Sequence, residues 1–252
     1  MAVRRMIGVL GGMGPLATVD FMQKIIHLTP AERDQDHIPM VVVSVPQIPD
    51  RATAVLAGTD DPFPGILSAL RMLERAGVEL IVIPCNTAHA WFDRLAASTD
   101  VELIHMADAV RRRIGSMEGR VALMATEGTV RAGFYPRYLC GENRAVFAPP
   151  KGIQGLVNRA VAAVKAADLG LARAVMEEAA TALLADGATH LLLACTELPI
   201  AVAGASFEAR CLDATRCLAE YCIAWSTGGL PGSVTTNPPE DGSWTSDGSR
   251  IS

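Results

Sequence analysis

The chain has 252 residues, half of them hydrophobic, and a formal net charge of -5. That length can bury a large core, as one big domain or two of ordinary size. The acidic balance leaves no basic footprint for nucleic acid, the low aromatic content offers few stacking platforms, and no apolar run is long enough to span a bilayer.

The start, Met1-Ala-Val-Arg4-Arg5, imitates the basic end of a signal peptide. The apolar stretch behind it, however, holds Gly8, Gly11, Gly12, Gly14 and Pro15, which favour strand, turn and helix start over a targeting helix. From there the chain reads as a strand over 6–11, a glycine turn, and a helix from Pro15 to Leu28, with Pro15 suited to a first helical position. A buried strand is expected over Met40–Val45, then a loop from Pro46 to Asp50 that leads to Arg51. An amphipathic helix over Ile66–Ala76 stops at Gly77. Val78–Pro84 is a further strand, followed by a helix over Thr87–Ala97, a short strand over Glu102–His105 and a helix over Ala107–Gly115.

The pattern then restarts. Arg120–Ala125 is a strand, and Thr126 to Tyr135 is a turn entering a helix. A strand over Ala145–Ala148 precedes helices over Gln154–Lys165 and Leu171–Ala185, and Leu191–Ala194 is the last strand of the series. Gly14 and Gly128 both follow apolar strands, which points to an internal duplication. Alternating strands and helices argue for an α/β fold of two pseudo-symmetric Rossmann-like lobes with mainly parallel sheets and an active site between the lobes. The expected division is 1–108 plus 213–225 for the first lobe and 109–212 for the second. A helix from about Asp213 to Trp225 is expected to pack back on the first lobe, and the Ser/Gly/Thr/Pro-rich segment 226–252 reads as a disordered tail.

Two of the six cysteines stand apart from the others. Cys85 and Cys195 are each preceded, at the same distance, by a glycine (Gly77 and Gly187) and a short apolar run. Each therefore falls at the carboxyl end of a buried parallel strand, where ligands bind in open α/β sheets. A lone cysteine often behaves as a small buried hydrophobe, but a matched pair points to two acid/base groups for one substrate. Helix N-termini beyond them are expected to lower both thiol pKa values. Cys140, Cys211, Cys217 and Cys222 lack this setting. None of the six forms a C-x-x-C pair, and reduced thiols in a cytoplasmic protein are the expectation.

Other motifs carry less. Gly12-Met-Gly14-Pro-Leu-Ala17 matches a dinucleotide fingerprint, but no carboxylate ends the second strand, so a glycine turn lining a small-anion pocket serves equally well. Cys85 and His89 lie one helical turn apart without the further ligands that a closed zinc site needs, and a metal is not expected. No G-x-S-x-G elbow is present.

Taken together, Ile7-Gly-Val-Leu-Gly-Gly-Met-Gly-Pro-Leu-Ala-Thr18, Pro49-Asp-Arg51, Pro84-Cys-Asn-Thr-Ala-His89 and Ala194-Cys-Thr-Glu-Leu-Pro199 resemble the aspartate/glutamate racemase superfamily, its aspartate racemase branch above all. The resemblance runs from about Met6 to Trp225. It implies a cofactor-independent racemase in which Cys85 and Cys195 are the catalytic thiols. Arg51 and Lys165 match cations that bind a substrate carboxylate. Asn86, Thr87 and Thr196 match polar residues around the α-carboxylate, with Glu197 beside them. Thr126 and Thr129 match a T-x-x-T segment lining the pocket, and Met13 and Gly14 the first glycine turn. Arg51-Ala52-Thr53 departs from the commoner Arg-Thr-Ala order.

The mechanism this implies is a two-base one. One cysteine, as thiolate, removes the α-proton, while the other, as thiol, returns a proton to the opposite face. Two thiolates would repel, so a mixed protonation state makes electrostatic sense. The expected partner is a small amino acid or dicarboxylate, with a homodimer as the default assembly. A broad-specificity racemase, a maleate isomerase-like enzyme using one cysteine as nucleophile, and a small-anion binding protein remain open.

Overall fold

The computed structural model describes residues 4–229. They divide into two compact units, one running to Val110 and resuming at Thr215, the other spanning Arg111–Ala214. The expected breaks were 108/109 and 212/213. Most of the Ser/Gly-rich tail, 230–252, lies outside the described residues.

The first unit contains β1 (Ile7–Gly11), α1 (Pro15–Leu28), β2 (Met40–Ser44), α2 (Arg51–Ala57), α3 (Phe63–Arg75), β3 (Leu80–Val82), α4 (Phe92–Ala96) and β4 (Glu102–Leu103). α5 (Met106–Ile114) crosses into the second unit, which holds β5 (Gly119–Ala125), α6 (Glu127–Ala132), α7 (Phe134–Leu139), β6 (Arg144–Phe147), α8 (Lys151–Lys165), α9 (Leu169–Ala185), β7 (His190–Ala194), α10 (Leu198–Val202) and β8 (Cys211–Asp213). The final helix, α11 (Ala214–Ser226), belongs to the first unit almost throughout.

Each unit is built on a 4-stranded sheet, ordered β2-β1-β3-β4 in the first and β6-β5-β7-β8 in the second. Every pairing within them is parallel. The two orders trace the same path, as the internal duplication implies. In both, the chain steps from a central strand to one edge and then crosses to the other side. The reversal therefore falls between β1 and β3 in one unit and between β5 and β7 in the other. At such a switch point the flanking loops diverge and leave a crevice at the strands' carboxyl ends.

The central strands β1 and β3 are buried along their whole length, consistent with their unbroken apolar sequences and with helices on both faces. β2, expected to be buried, is a half-buried edge strand. Helix faces close the cores. α1 turns Ala17, Phe21 and Ile25 inward, and α3 buries Ile66, Leu70 and Leu73. Each large apolar side chain so buried contributes about 1.5–3 kcal/mol relative to exposure. In the second unit α8 and α9 supply the corresponding layer, with Val157, Val161, Val175 and Met176 packed on β5 and β7.

Gly77 and Gly187 have positive φ, 73° and 87°. In this left-handed conformation glycine ends α3 and α9 without a Cβ penalty and sends the chain into β3 and β7. The matched glycine spacing is thus a matched helix stop. α11 returns to the first unit. Ser226 Oγ donates to Arg5 O at 2.7 Å, Trp225 Nε1 donates to Glu102 at 2.9 Å, and the Arg5 guanidinium lies over the Trp225 ring at 3.7 Å.

Several elements differ from expectation. The helix expected over Thr87–Ala97 is a 3-10 turn over Thr87–Trp91 followed by the short α4. The helix expected after Thr126 is broken at Gly133 into α6 and α7. Arg51, expected in a loop, opens α2. Asp50 caps that helix by accepting from Thr53 N at 2.8 Å. The Asp50-x-x-Thr53 pattern is a legible N-terminal signal. α10 and β8, each of 5 residues or fewer, carry too little periodicity to be read from sequence.

Candidate active site

In the first unit the switch point falls between β1, which runs into Gly12-Met13-Gly14, and β3, which leads to Cys85-Asn86-Thr87. The first segment is held by Thr18 of α1, whose hydroxyl accepts from Gly12 N at 2.8 Å and donates to Gly14 O at 2.9 Å. Gly12 has φ +88°, and a Cβ there would stand 2.3 Å from Val45 N, so only glycine fits against the end of β2. Gly12 of the fingerprint is thus explained by close backbone packing, with Thr18 as the clamp.

In the second segment Cys85 is buried, 6% exposed, as are Asn86 and Thr87. His89 secures this segment. Its Nε2 accepts from Met106 N at 3.1 Å, so Nδ1 carries the proton and donates to Cys85 O at 2.9 Å. Burial lowers the His89 pKa from 6.5 to about 4, which keeps the ring neutral at physiological pH. Both ring nitrogens are committed to backbone groups, so His89 is a strut between the cysteine loop and α5 and is not placed as a metal ligand. It also stacks on Phe92 at 5.8 Å between ring centroids and meets His105 at 4.6 Å. Among the described residues, no group of three or more His, Cys, Asp or Glu is arranged to hold a metal.

Arg51 lies beyond the end of β2. Its Nη1 donates to Ile48 O and Pro49 O, both at 3.1 Å, which folds the guanidinium back over its own loop. Nε is buried without a partner in the protein.

In the second unit the corresponding switch point lies between β5 and β7. Ala125 and Ala194 are register partners, which places Thr126 and Cys195 next to each other at the strand ends. Thr126 is the N-cap of α6: its hydroxyl accepts from Thr129 N at 3.3 Å and lies 3.2 Å from Thr129 Oγ1. The T-x-x-T segment therefore has a capping role in addition to any contact with a ligand. Gln154 of α8 braces the same turn by donating to Ala125 O at 2.8 Å. Sequence reasoning missed Gln154, and nothing in its local pattern marks it out.

Cys195 is buried to the same extent as Cys85, 6% exposed, but its surroundings are different. Its Sγ donates to Glu197 Oε2 at 3.0 Å, and the Thr196 hydroxyl donates to the same oxygen at 3.3 Å. Burial pushes the Cys195 thiol well above its ordinary range and Glu197 pushes it further, while Lys165, the last residue of α8, pulls against them. The expectation of a lowered thiol pKa at Cys195 is thus overturned. α10 begins only at Leu198 and has 5 residues, so its weak dipole is outweighed by a buried carboxylate in contact. Glu197, expected among the substrate-binding residues, turns its carboxylate toward Cys195 and Thr196.

The expected site residues therefore fall into two sets. Met13, Gly14, Arg51, Cys85, Asn86 and Thr87 belong to the first unit, and Thr126, Thr129, Lys165, Cys195, Thr196 and Glu197 to the second. Each set includes one buried cysteine, Cys85 in the first unit and Cys195 in the second. All six cysteines are unbridged.

This fold and these strand-end thiols define a class. The chain belongs to the Asp/Glu/hydantoin racemase family, whose model matches residues 10–222. It is thus a member of a family of isomerases that act on small amino acids. The broad-specificity amino-acid racemase RacX of Bacillus subtilis strain 168 is 28% identical over 228 residues, 87% of this chain and 97% of the relative. Picrophilus torridus aspartate racemase matches with a TM-score of 0.80 at 32% identity, over 89% of this chain and 94% of that one. Glutamate racemase from Francisella tularensis, in complex with D-glutamate, shares the fold at TM-score 0.65 and 16% identity, over 95% and 87% of the two chains. Among the described residues no helix is long and apolar enough to cross a membrane.

Proposed function

We propose that the protein is a cofactor-independent racemase interconverting L- and D-aspartate, or a related acidic amino acid, with Cys85 and Cys195 as the two bases for one α-carbon. The observation that carries this reading is the repeated placement of a buried cysteine just past the third strand of each unit, Cys85 three residues after β3 and Cys195 immediately after β7. Racemisation needs removal of a proton from one face and delivery to the other. Two fixed thiols divide that task without a group having to cross the substrate.

In this reading Arg51 and Lys165 bind the side-chain carboxylate, and Asn86, Thr87 and Thr196 bind the α-carboxylate onto which charge moves as the α-proton leaves. Thr126, Thr129, Met13 and Gly14 line the site. Resemblance to an aspartate racemase at 32% identity supports the acidic substrate, and the two cations fit it. The test is proton NMR and chiral chromatography of L- and D-aspartate incubated with the pure protein in D2O without added cofactor. Loss of the α-proton signal with appearance of the opposite enantiomer is expected. Absence of both exchange and inversion would rule out aspartate as the substrate.

A second reading, a broad-specificity racemase, is favoured by the match to RacX along 97% of that protein. Comparable turnover of neutral amino acids in the same assay would select it.

A further inference from the structure

The two thiols are equally buried. Cys195 sits against a buried carboxylate, and the contact is short and direct: Sγ to Glu197 Oε2 is 3.0 Å. Glu197 is itself 7% exposed, so its charge is little screened by water and depends on donors close at hand. It has two on one oxygen, the Cys195 thiol and the Thr196 hydroxyl at 3.3 Å. A contact this short needs a proton between sulfur and oxygen, and with Glu197 as the carboxylate the sulfur carries it. A thiolate in the same place would set two anions side by side in a dry environment, where like charges oppose a second ionisation strongly. The charged groups acting on Cys195 are Glu197 from its own loop and Lys165 from α8. Glu197 is in hydrogen-bonding contact with it.

We propose that Glu197 holds Cys195 as the protonated thiol in the ligand-free protein, which makes Cys195 the acid of the pair at the start of a turnover and Glu197 the group through which it is reprotonated. This rests on the two-thiol racemase reading above. The Cα–H bond breaks as the Cys85 thiolate takes the proton. The Cys195 S–H bond breaks as a new Cα–H bond forms on the opposite face. Cys195 is left as a thiolate beside the Glu197 carboxylate, a repulsive pair. The pair relaxes when a proton from water passes by way of Glu197 Oε2 to Cys195 Sγ, while the Cys85 thiol gives its proton to water. No net proton is consumed. The enantiomer that needs Cys195 as base must wait for the less populated form of the enzyme. Because the two enantiomers are equal in free energy, this asymmetry appears in kcat and KM separately and cancels in kcat/KM.

The test is an NMR pH titration of the full chain labelled with 13Cβ-cysteine, with the Cys195 signal assigned from its loss in Cys195→Ser. Cys195 is expected to remain a thiol through neutral pH and to titrate above the ordinary thiol value of about 8.5. Glu197→Gln keeps the shape of the side chain and removes its charge. It should raise the Cys195 thiolate fraction at a given pH about tenfold or more and leave the Cys85 midpoint in place, which a general loosening of the fold would not do. A Cys195 signal already ionised at neutral pH in the wild-type protein would overturn the proposal, as would an unchanged midpoint in Glu197→Gln. If that variant fails to fold, the wild-type midpoint decides. The measurement needs no substrate, so a chain that racemises nothing yet titrates as described would overturn the racemase reading and leave the Cys195–Glu197 pairing standing.

Discussion

The loops that carry Cys85 and Cys195 leave the same position in two sheets of the same topology, and they have been finished differently. The Cys85 loop is held by a neutral imidazole that reads its backbone: His89 bonds the Cys85 carbonyl and the Met106 amide. The Cys195 loop is held by a carboxylate that reads its thiol. The first device fixes position and adds no charge. The second ties position to protonation state. A duplicated fold supplies equivalent places for two cysteines, and the side chains that hold their loops differ.

Removing either thiol is the strongest challenge to this comparison. Cys85→Ser and Cys195→Ser are each expected to lower racemisation by about 100-fold or more, the usual scale for a lost general acid or base. Single-face exchange of the α-proton in D2O should survive. Full two-way activity in either variant would end the two-base account.

Next comes acid stability. The unfolded chain takes up a proton on His89 below about pH 6.5, but the folded protein resists it until about pH 4. The folded-state pKa is the lower one, so this contribution is fully present above 6.5 and is lost as the pH falls toward 4. Its size is roughly 3 kcal/mol, at about 1.4 kcal/mol per pKa unit. Urea unfolding of the wild type and of His89→Gln, at neutral pH and at acid pH, should show the wild type losing that much more. Parallel losses would mean that His89 is not the neutral strut described.

Arg51→Leu sharpens the specificity side. Loss of a charge-assisted contact of about 1.5–3 kcal/mol should cut kcat/KM for aspartate roughly 10- to 100-fold and barely affect a neutral amino acid that is turned over at all. Equal losses would detach Arg51 from substrate choice.

The smallest effect is expected at Thr126→Ala. The lost helix cap should cost about 1 kcal/mol of stability, visible as a lower urea midpoint. A rise in KM beyond that would show that Thr126 also contacts the ligand, and unchanged kinetics would leave it as a cap alone.

Much of the fold was readable along the chain because its strands are short apolar runs between glycine stops and its longer helices have one apolar face. α1 was expected over Pro15–Leu28 and is found there, since proline at its start and the periodic Ala17, Phe21 and Ile25 all point the same way. The segments after the cysteines were less legible. Thr87–Trp91 has helical composition but forms a 3-10 turn, because His89 must reach both Cys85 O and Met106 N, and that demand comes from outside the segment. Arg51 could have been placed on a helix from Asp50 and Thr53, had the cap been weighed above the prolines before it.

By itself, the sequence determined the α/β class, the internal repeat and the two cysteines that merit attention, because periodicity, glycine spacing and matched motifs are all local. Tertiary structure decided the order of the strands, the neutral tautomer of His89 and the turn of Glu197 toward Cys195. Those outcomes depend on which groups share a dry space, and burial sets the protonation state of a thiol or an imidazole more strongly than its neighbours in sequence do.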